Sequence, residues 1–170
     1  MQATLCHDNI DCLERMGRLI QRLTDAQYVA SQTPCVNGIG AHVRHILDHF
    51  DAFMSGLETG SVDYDARQRD KDTECQRTVA LARNQTIKKR LHNLTAHALP
   101  ESLSVCMDCG STASSRLATT SNALRELQFL VSHTVHHDAL IAAAVVAMDV
   151  TPEAGYGIAP STLRHQRKRA

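Results

Sequence analysis

The sequence predicts an all-α fold: a four-helix bundle with one small β-hairpin inserted between its third and fourth helices. Three observations predict it. Apolar residues recur at three- and four-residue spacing through four long segments, the signature of helices with one buried face. Aromatic residues make up only 4% and Trp is absent, so the core must be built from Leu, Ile, Val, Ala and Met, which suits packed helices. Between the third and fourth segments the apolar spacing switches to alternation, the period of a strand.

Residues 3–30 read as the first helix, carrying Leu5, Ile10, Leu13, Met16, Ile20 and Leu23. Pro34 ends it, since proline has no N–H for the ladder. Asn37 is the expected N-cap of a second helix over about 38–58, with Ile39, Val43, Ile46, Leu47, Phe50, Phe53 and Met54 apolar and Gly60 at its exit. Residues 61–72 are polar and read as a loop. A third helix over about 72–97 carries Cys75, Val79, Ala80, Ile87, Leu91 and Leu94, and Pro100 stops it. The hairpin occupies about 102–120: Leu103, Val105 and Met107 alternate with polar residues, Asp108-Cys109-Gly110 offers the turn, and 115–120 returns. Ser121 or Asn122 caps the fourth helix, about 122–148, which buries Leu124, Leu127, Leu130, Val135, Ile141 and Val145. Residues 1–150 thus form the bundle, and 151–170 an irregular segment ending in a solvated basic tail.

The 170 residues suffice for one domain with a proper core. Lys and Arg total 18, as do Asp and Glu, so there is no electrostatic case for a nucleic-acid partner. Met1 to Asp11 lacks the pattern of a secretory leader. The longest apolar run, Ala139 to Met148, falls short of the ~20 residues that cross a bilayer, so no membrane partner is expected. Without secretory context the six cysteines read as reduced thiols of a cytoplasmic protein.

Ten histidines are unusual, and six sit in two short clusters, His42/His45/His49 and His133/His136/His137. His133 and His137 are four apart on a helix, hence on one face one turn apart, the pairing two imidazoles need to reach one ion at about 2.0–2.1 Å. A third ligand must come from another helix, and His42, His45 and His49 share one inward face of the second. Imidazole donors suit divalent Zn, Ni, Fe or Cu, and three ligands leave an open coordination position. Against this stands the ordinary role of an inward histidine, a hydrogen-bonded core residue. Two clusters on two inward faces outweigh it, because each buried imidazole would otherwise need its own hydrogen-bond partner.

These residues resemble a known family. Gly38-Ile-Gly-Ala-His-Val-Arg-His-Ile-Leu-Asp-His49 is similar to the second helix of the DinB/YfiT-like superfamily, and Arg125-Glu-Leu-Gln-Phe-Leu-Val-Ser-His-Thr-Val-His-His137 to its last bundle helix. The resemblance implies a four-helix bundle and a divalent ion (Zn, Ni or Fe) held by His45, His133 and His137. In that register His45 is followed by Ile46-Leu47-Asp48; His42 is the runner-up and His49 a distant third. It also implies a homodimer, to which Phe50, Phe53 and Met54 would contribute by exceeding one helix face. The implied activity is that of a metal-dependent enzyme of thiol-dependent transferase or hydrolase type, acting on a small molecule with a low-molecular-weight thiol as cofactor. His136, His42 and His49 are then the candidate proton carriers. The alternative is a non-catalytic, stress-associated metal-binding bundle acting as a dimeric interaction module.

Other residues carry weaker signals. Cys106 and Cys109 have zinc-knuckle spacing but lack a second pair of soft ligands, and read as hairpin thiols. Tyr64, Arg67 and Arg69 lie in the loop after the second helix, where an arginine can take a substrate carboxylate. Arg44 is expected to pair with a neighbouring acid and Glu126 to act as a cap or partner of the second helix. Asp48 and Asp138 are expected as acceptors for imidazole N–H groups.

Overall fold

The computed structural model describes residues 1–30, 38–108, 110 and 116–169. Helix α1 spans Gln2–Arg22 and buries Cys6, Leu13, Met16, Leu19 and Ile20. It stops earlier than the apolar period suggests because Thr24 opens a capping box. The Thr24 hydroxyl accepts from Gln27 N, and the Gln27 side chain accepts from Thr24 N at 2.9 Å. A short helix, α2 (Asp25–Val29), follows, and its buried Tyr28 donates to the Thr73 carbonyl at 2.7 Å. The Pro34 stop and the Asn37 cap lie outside the described residues.

Helix α3 spans Ile39–Thr59, with Gly38 at its N-cap and Gly60 ending it in a left-handed turn at φ 78°. Its apolar residues all face inward. Phe50, Phe53 and Met54 lie in the core, so they do not form the outer face expected to carry a dimer. The segment after α3 is not the plain loop expected. Strand β1 (Ser61–Asp63) pairs in parallel with a later strand, and Asp70 caps a short helix, α4 (Lys71–Cys75), by accepting from Asp72 N and Thr73 N. The third long helix, α5, therefore covers only Arg77–Leu94.

The expected hairpin is present as β2 (Leu103–Asp108) and β3 (Arg116–Ser121), antiparallel with Leu103 opposite Ser121. With β1 it makes a three-stranded sheet of order β1-β2-β3. Cys109, in the expected turn, lies outside the described residues. Asn122 caps helix α6 (Ala123–Val146) by accepting from Arg125 N at 3.0 Å. The C-terminal segment is more ordered than its composition suggests: Pro160 starts helix α7 (Pro160–Arg167), which has no buried residue. Just before it, Tyr156 is buried and donates to Asp138 at 2.6 Å.

The molecule is mostly helical. Helix α1 packs on α5 and α6, and α3 packs on the same two, so the four long helices enclose one core. Buried amides tie it together: Asn9 donates to the Leu127 carbonyl and Asn84 to the Leu13 carbonyl. Helix α6 is long and apolar enough to cross a bilayer by length and composition alone. It also buries Glu126, Thr134 and Asp138, and it packs on both α1 and α3. The packing of α3 against α6 is what positions the histidines.

Candidate metal centre

The two histidine clusters meet between α3 and α6. His45 Nε2 and His133 Nε2 stand 3.1 Å apart. Two imidazole nitrogens that close share either a proton or a cation, because two bare lone pairs would repel. One ligand atom each from His45, His49 and His133 lies within 4.8 Å of the others, close enough for one ion. His137, expected as a ligand in place of His49, stands beside this group: its ring centroid is 4.5 Å from that of His45 and 4.6 Å from that of His133. Two ligands at about 2.0–2.1 Å from one ion would be roughly 3.0–3.4 Å apart, so the His45–His133 separation fits such a pair.

The hydrogen bonds around the cluster fix several ring states. His49 Nδ1 donates to the His45 carbonyl at 2.9 Å, which leaves its Nε2 as the lone-pair nitrogen. His137 Nδ1 lies 3.0 Å from His42 Nδ1, so one of them donates to the other. A ring that ligates through Nε2 carries its proton on Nδ1, and His42 is placed to accept it, a standard support for a ligating histidine. His133 Nδ1 is buried without a hydrogen-bond partner.

Burial keeps these rings neutral. It lowers His45 to about 3, with the neighbouring His49 and His137 adding to the effect. The same cause, with His49 next, lowers His133 to about 2; burial and then His42 lower His137 to about 4. His42 and His49 are also pushed down, in each case mainly by burial. Neutral imidazole is the form that ligates a divalent ion, so the donor set matches that chemistry.

The walls of the site come partly from residues that the histidine pattern does not mark. Tyr64 is buried, stacks on His49 at 5.2 Å, and donates to Glu126 at 2.8 Å. Phe129, one turn before His133 on α6, lies 5.5 Å from its ring and 5.0 Å from Tyr64. The position of Phe129 four residues before a candidate ligand was the available signal; Tyr64 was singled out only as part of the loop after the second helix, and it is β1, just before it, that carries it into place. Arg67 reaches His45 Nδ1 with Nη1, whereas Arg69 is exposed and has positive φ. His136 is exposed, with its ring edge-on to His137 at 5.1 Å.

The acids hold other groups than those expected. Asp48 accepts from Arg44 at 3.0 Å and from Arg83 at 2.8 Å, with no imidazole bond among the described residues, because both arginines reach it first. Asp138 accepts from Tyr156. Burial raises Asp138 to about 7, against the opposing hydrogen bond from Tyr156. Arg44 does pair with acids, Asp48 and Glu74. Glu126 accepts from Tyr64 and Ser121 and so braces the sheet against α6.

Two comparisons with known proteins bear on the chain. The sequence profile of the DinB superfamily matches residues 11–141. The chain is also 29% identical over 108 residues to FK506-binding protein 5 of Rhizopus delemar, a match covering 64% of this chain and 28% of that protein. The chain therefore spans only a little over a quarter of the length of that curated relative.

Proposed function

The chain belongs to the DinB superfamily, and from that premise we propose that it holds one divalent metal ion (Zn, Ni or Fe) on His45, His133 and His137 and serves as a metal-dependent transferase or hydrolase, with its long helices arranged as a four-helix bundle. The observation that carries this reading is the 3.1 Å approach of His45 Nε2 to His133 Nε2 inside a cluster of neutral, half-buried to buried imidazoles.

Such an ion lowers the pKa of a bound water or thiol and so supplies a nucleophile at neutral pH. The chain's own residues supply the rest. His49 presents a lone pair at Nε2 beside the cluster and serves as the proton acceptor. His42 accepts from His137 Nδ1 and orients that ring. His136, exposed at the rim, passes protons to solvent. Tyr64 and Phe129 wall one side of the site, against His49 and His133. Cys6, Cys12 and Cys75 are in no disulfide, which suits a reducing compartment and a low-molecular-weight thiol as cofactor.

Elemental analysis of untagged protein, as purified and after reconstitution, tests the reading. It is expected to give one equivalent of a transition metal per chain, and well under one equivalent after reconstitution would sink it. Turnover with a low-molecular-weight thiol then separates an enzyme from a metal-stabilised bundle that only binds.

A further inference from the structure

Arg67 stands on the loop between β1 and α4, with the histidine cluster on one side and a cavity of about 480 Å³ on the other. Its Nη1 contacts His45 Nδ1, and its Nε is buried with no hydrogen-bond partner. The carboxylates around the cavity are engaged elsewhere. Asp48 pairs with Arg44 and Arg83, Asp51 with Arg83 and Arg90, and Asp63 accepts the N–H groups of Asp65 and Ala66. Among the described residues Arg67 has no ion pair of its own, unlike Arg83 and Arg90 on the same cavity.

A guanidinium only donates, so its contact with His45 uses the lone pair on Nδ1 and leaves the ring proton on Nε2, facing His133. A neutral imidazole has one lone pair. His45 therefore cannot accept from Arg67 and ligate an ion at the same time, whichever nitrogen the ion takes. With His45 serving as a ligand, Arg67 loses its acceptor and also faces another cation. The cavity is the open side to which it can turn. There its five donors need an acceptor that the protein does not supply.

We propose that Arg67 is the specificity residue of the site, recognising a small monocarboxylate substrate or co-substrate in this cavity and coupling its binding to that of the ion. The inference rests on the ion-binding reading above. A planar carboxylate matches one free guanidinium edge. A phosphate dianion suits the place less well, because Arg83 and Arg90 on the same cavity are already paired with Asp48 and Asp51, so only Arg67 is left to meet a second negative charge.

The test is a zinc titration against a competing chelator, on the full wild-type chain and on Arg67→Met, with acetate, inorganic phosphate or neither at equal ionic strength. Acetate is expected to tighten zinc binding to wild type several-fold, and phosphate to leave it unchanged. Arg67→Met is expected to bind zinc about tenfold more tightly than wild type without acetate, the scale of one lost charge-assisted hydrogen bond, and to ignore acetate. Equal zinc affinity and an equal acetate response in the two chains overturn the role of Arg67 while leaving the ion site standing. A stronger response to phosphate than to acetate overturns the monocarboxylate class. Zinc binding by neither chain overturns both readings together. Thermal melting checks that Arg67→Met is folded; if it is not, Arg67→Gln carries the same comparison.

Discussion

His45 on α3 and His133 on α6 bring their Nε2 atoms to 3.1 Å, one of two imidazole contacts, with His42–His137 at 3.0 Å, that join the two histidine helices. Removing either ring removes half of that pair. His45→Ala and His133→Ala are each expected to weaken zinc binding by at least about a hundredfold, more than the ten- to hundredfold typical of losing a supporting partner. His42→Ala, which removes the group facing His137 Nδ1, is expected to fall within that supporting range. His136→Ala, at an exposed position, is expected to change affinity less than threefold. Chelator competition gives all four numbers, and an intact site in His45→Ala would place the ion elsewhere.

Acid should unfold the ion-free protein in a defined window. His45, His133 and His137 have folded values near 3, 2 and 4, below their ordinary 6.5. Below 6.5 the unfolded chain takes up protons that the folded chain refuses, so stability is intact above that pH and falls as pH drops towards the folded values. Each such ring contributes at most about 1.4 kcal/mol per pH unit, and less where solvent screens it. Urea midpoints should hold from pH 7.5 to about 6.5 and decline from there to 4.5. His137→Asn should flatten the decline, and a midpoint independent of pH across that range would contradict the neutral cluster.

Asp138 gives a trend of opposite sign. Its folded value of about 7 lies above its ordinary 3.8, so it resists ionising in the fold, and stability contributed there falls as pH rises from about 4 to 7. Asp138→Asn keeps an acceptor for the Tyr156 hydroxyl and removes the buried charge, so it should be neutral or stabilising at pH 8. Asp138→Ala leaves that hydroxyl unpaired and should cost about 1–3 kcal/mol. Denaturant melts of the two variants at pH 8 decide it; equal losses in both would show that the carboxylate itself is needed.

The helical framework was legible because it depends on local periodicity: Ile39, Val43, Ile46, Leu47 and Phe50 repeat at helical spacing, and all are buried. The histidine clusters were legible for the same reason, as i, i+3 and i+4 spacings on two such helices. The missed features depend on partners distant in sequence. Ser61–Asp63 becomes a strand only because residues 104–106 lie beside it, and three polar-edged residues cannot announce that pairing. Asp48 looks like a histidine's acceptor until Arg83, 35 positions away, is found holding it. The Thr24 capping box was visible as a Thr-x-x-Gln pattern but was masked by an apolar period that continues through Leu23 and Tyr28.

Gly40 tests that tertiary dependence directly. Gly40 is the second residue of α3, and alanine in place of a helical glycine ordinarily stabilises, by up to about 0.5–1 kcal/mol. At Gly40 an added Cβ would run into the Glu74 carbonyl and lie 2.9 Å from Tyr28 Cε1, because α3 and α4 approach closely there. Gly40→Ala is therefore expected to destabilise by about 1–3 kcal/mol. Thermal melting with Gly60→Ala as a comparison separates close contact from backbone strain, since Gly60 has positive φ but open space around its Cα.

The choice of third ligand can be argued from ring orientation. By distance alone His49 joins His45 and His133 most closely. Its ring, however, stacks on His133 at 3.9 Å with only 27° between the planes. An imidazole lone pair lies in the ring plane, so two stacked, near-parallel rings keep their lone pairs in separate, near-parallel planes, a poor arrangement for sharing one ion about 2.1 Å from both. His137 is tilted 59° to His133 and 65° to His45, and His45 is tilted 47° to His133, angles at which three lone pairs can converge. Both rings have a partner behind Nδ1, His42 for His137 and the His45 carbonyl for His49, so that support does not separate them, but the His49 ring is also held between His133 and Tyr64. His137→Ala is accordingly expected to cost at least about tenfold more zinc affinity than His49→Ala. His49→Ala should instead depress turnover and alter its pH profile, as loss of a proton acceptor does. The opposite order of affinities would move the ion deeper, onto His45, His49 and His133, and would leave His137 and His42 as the proton path to the surface.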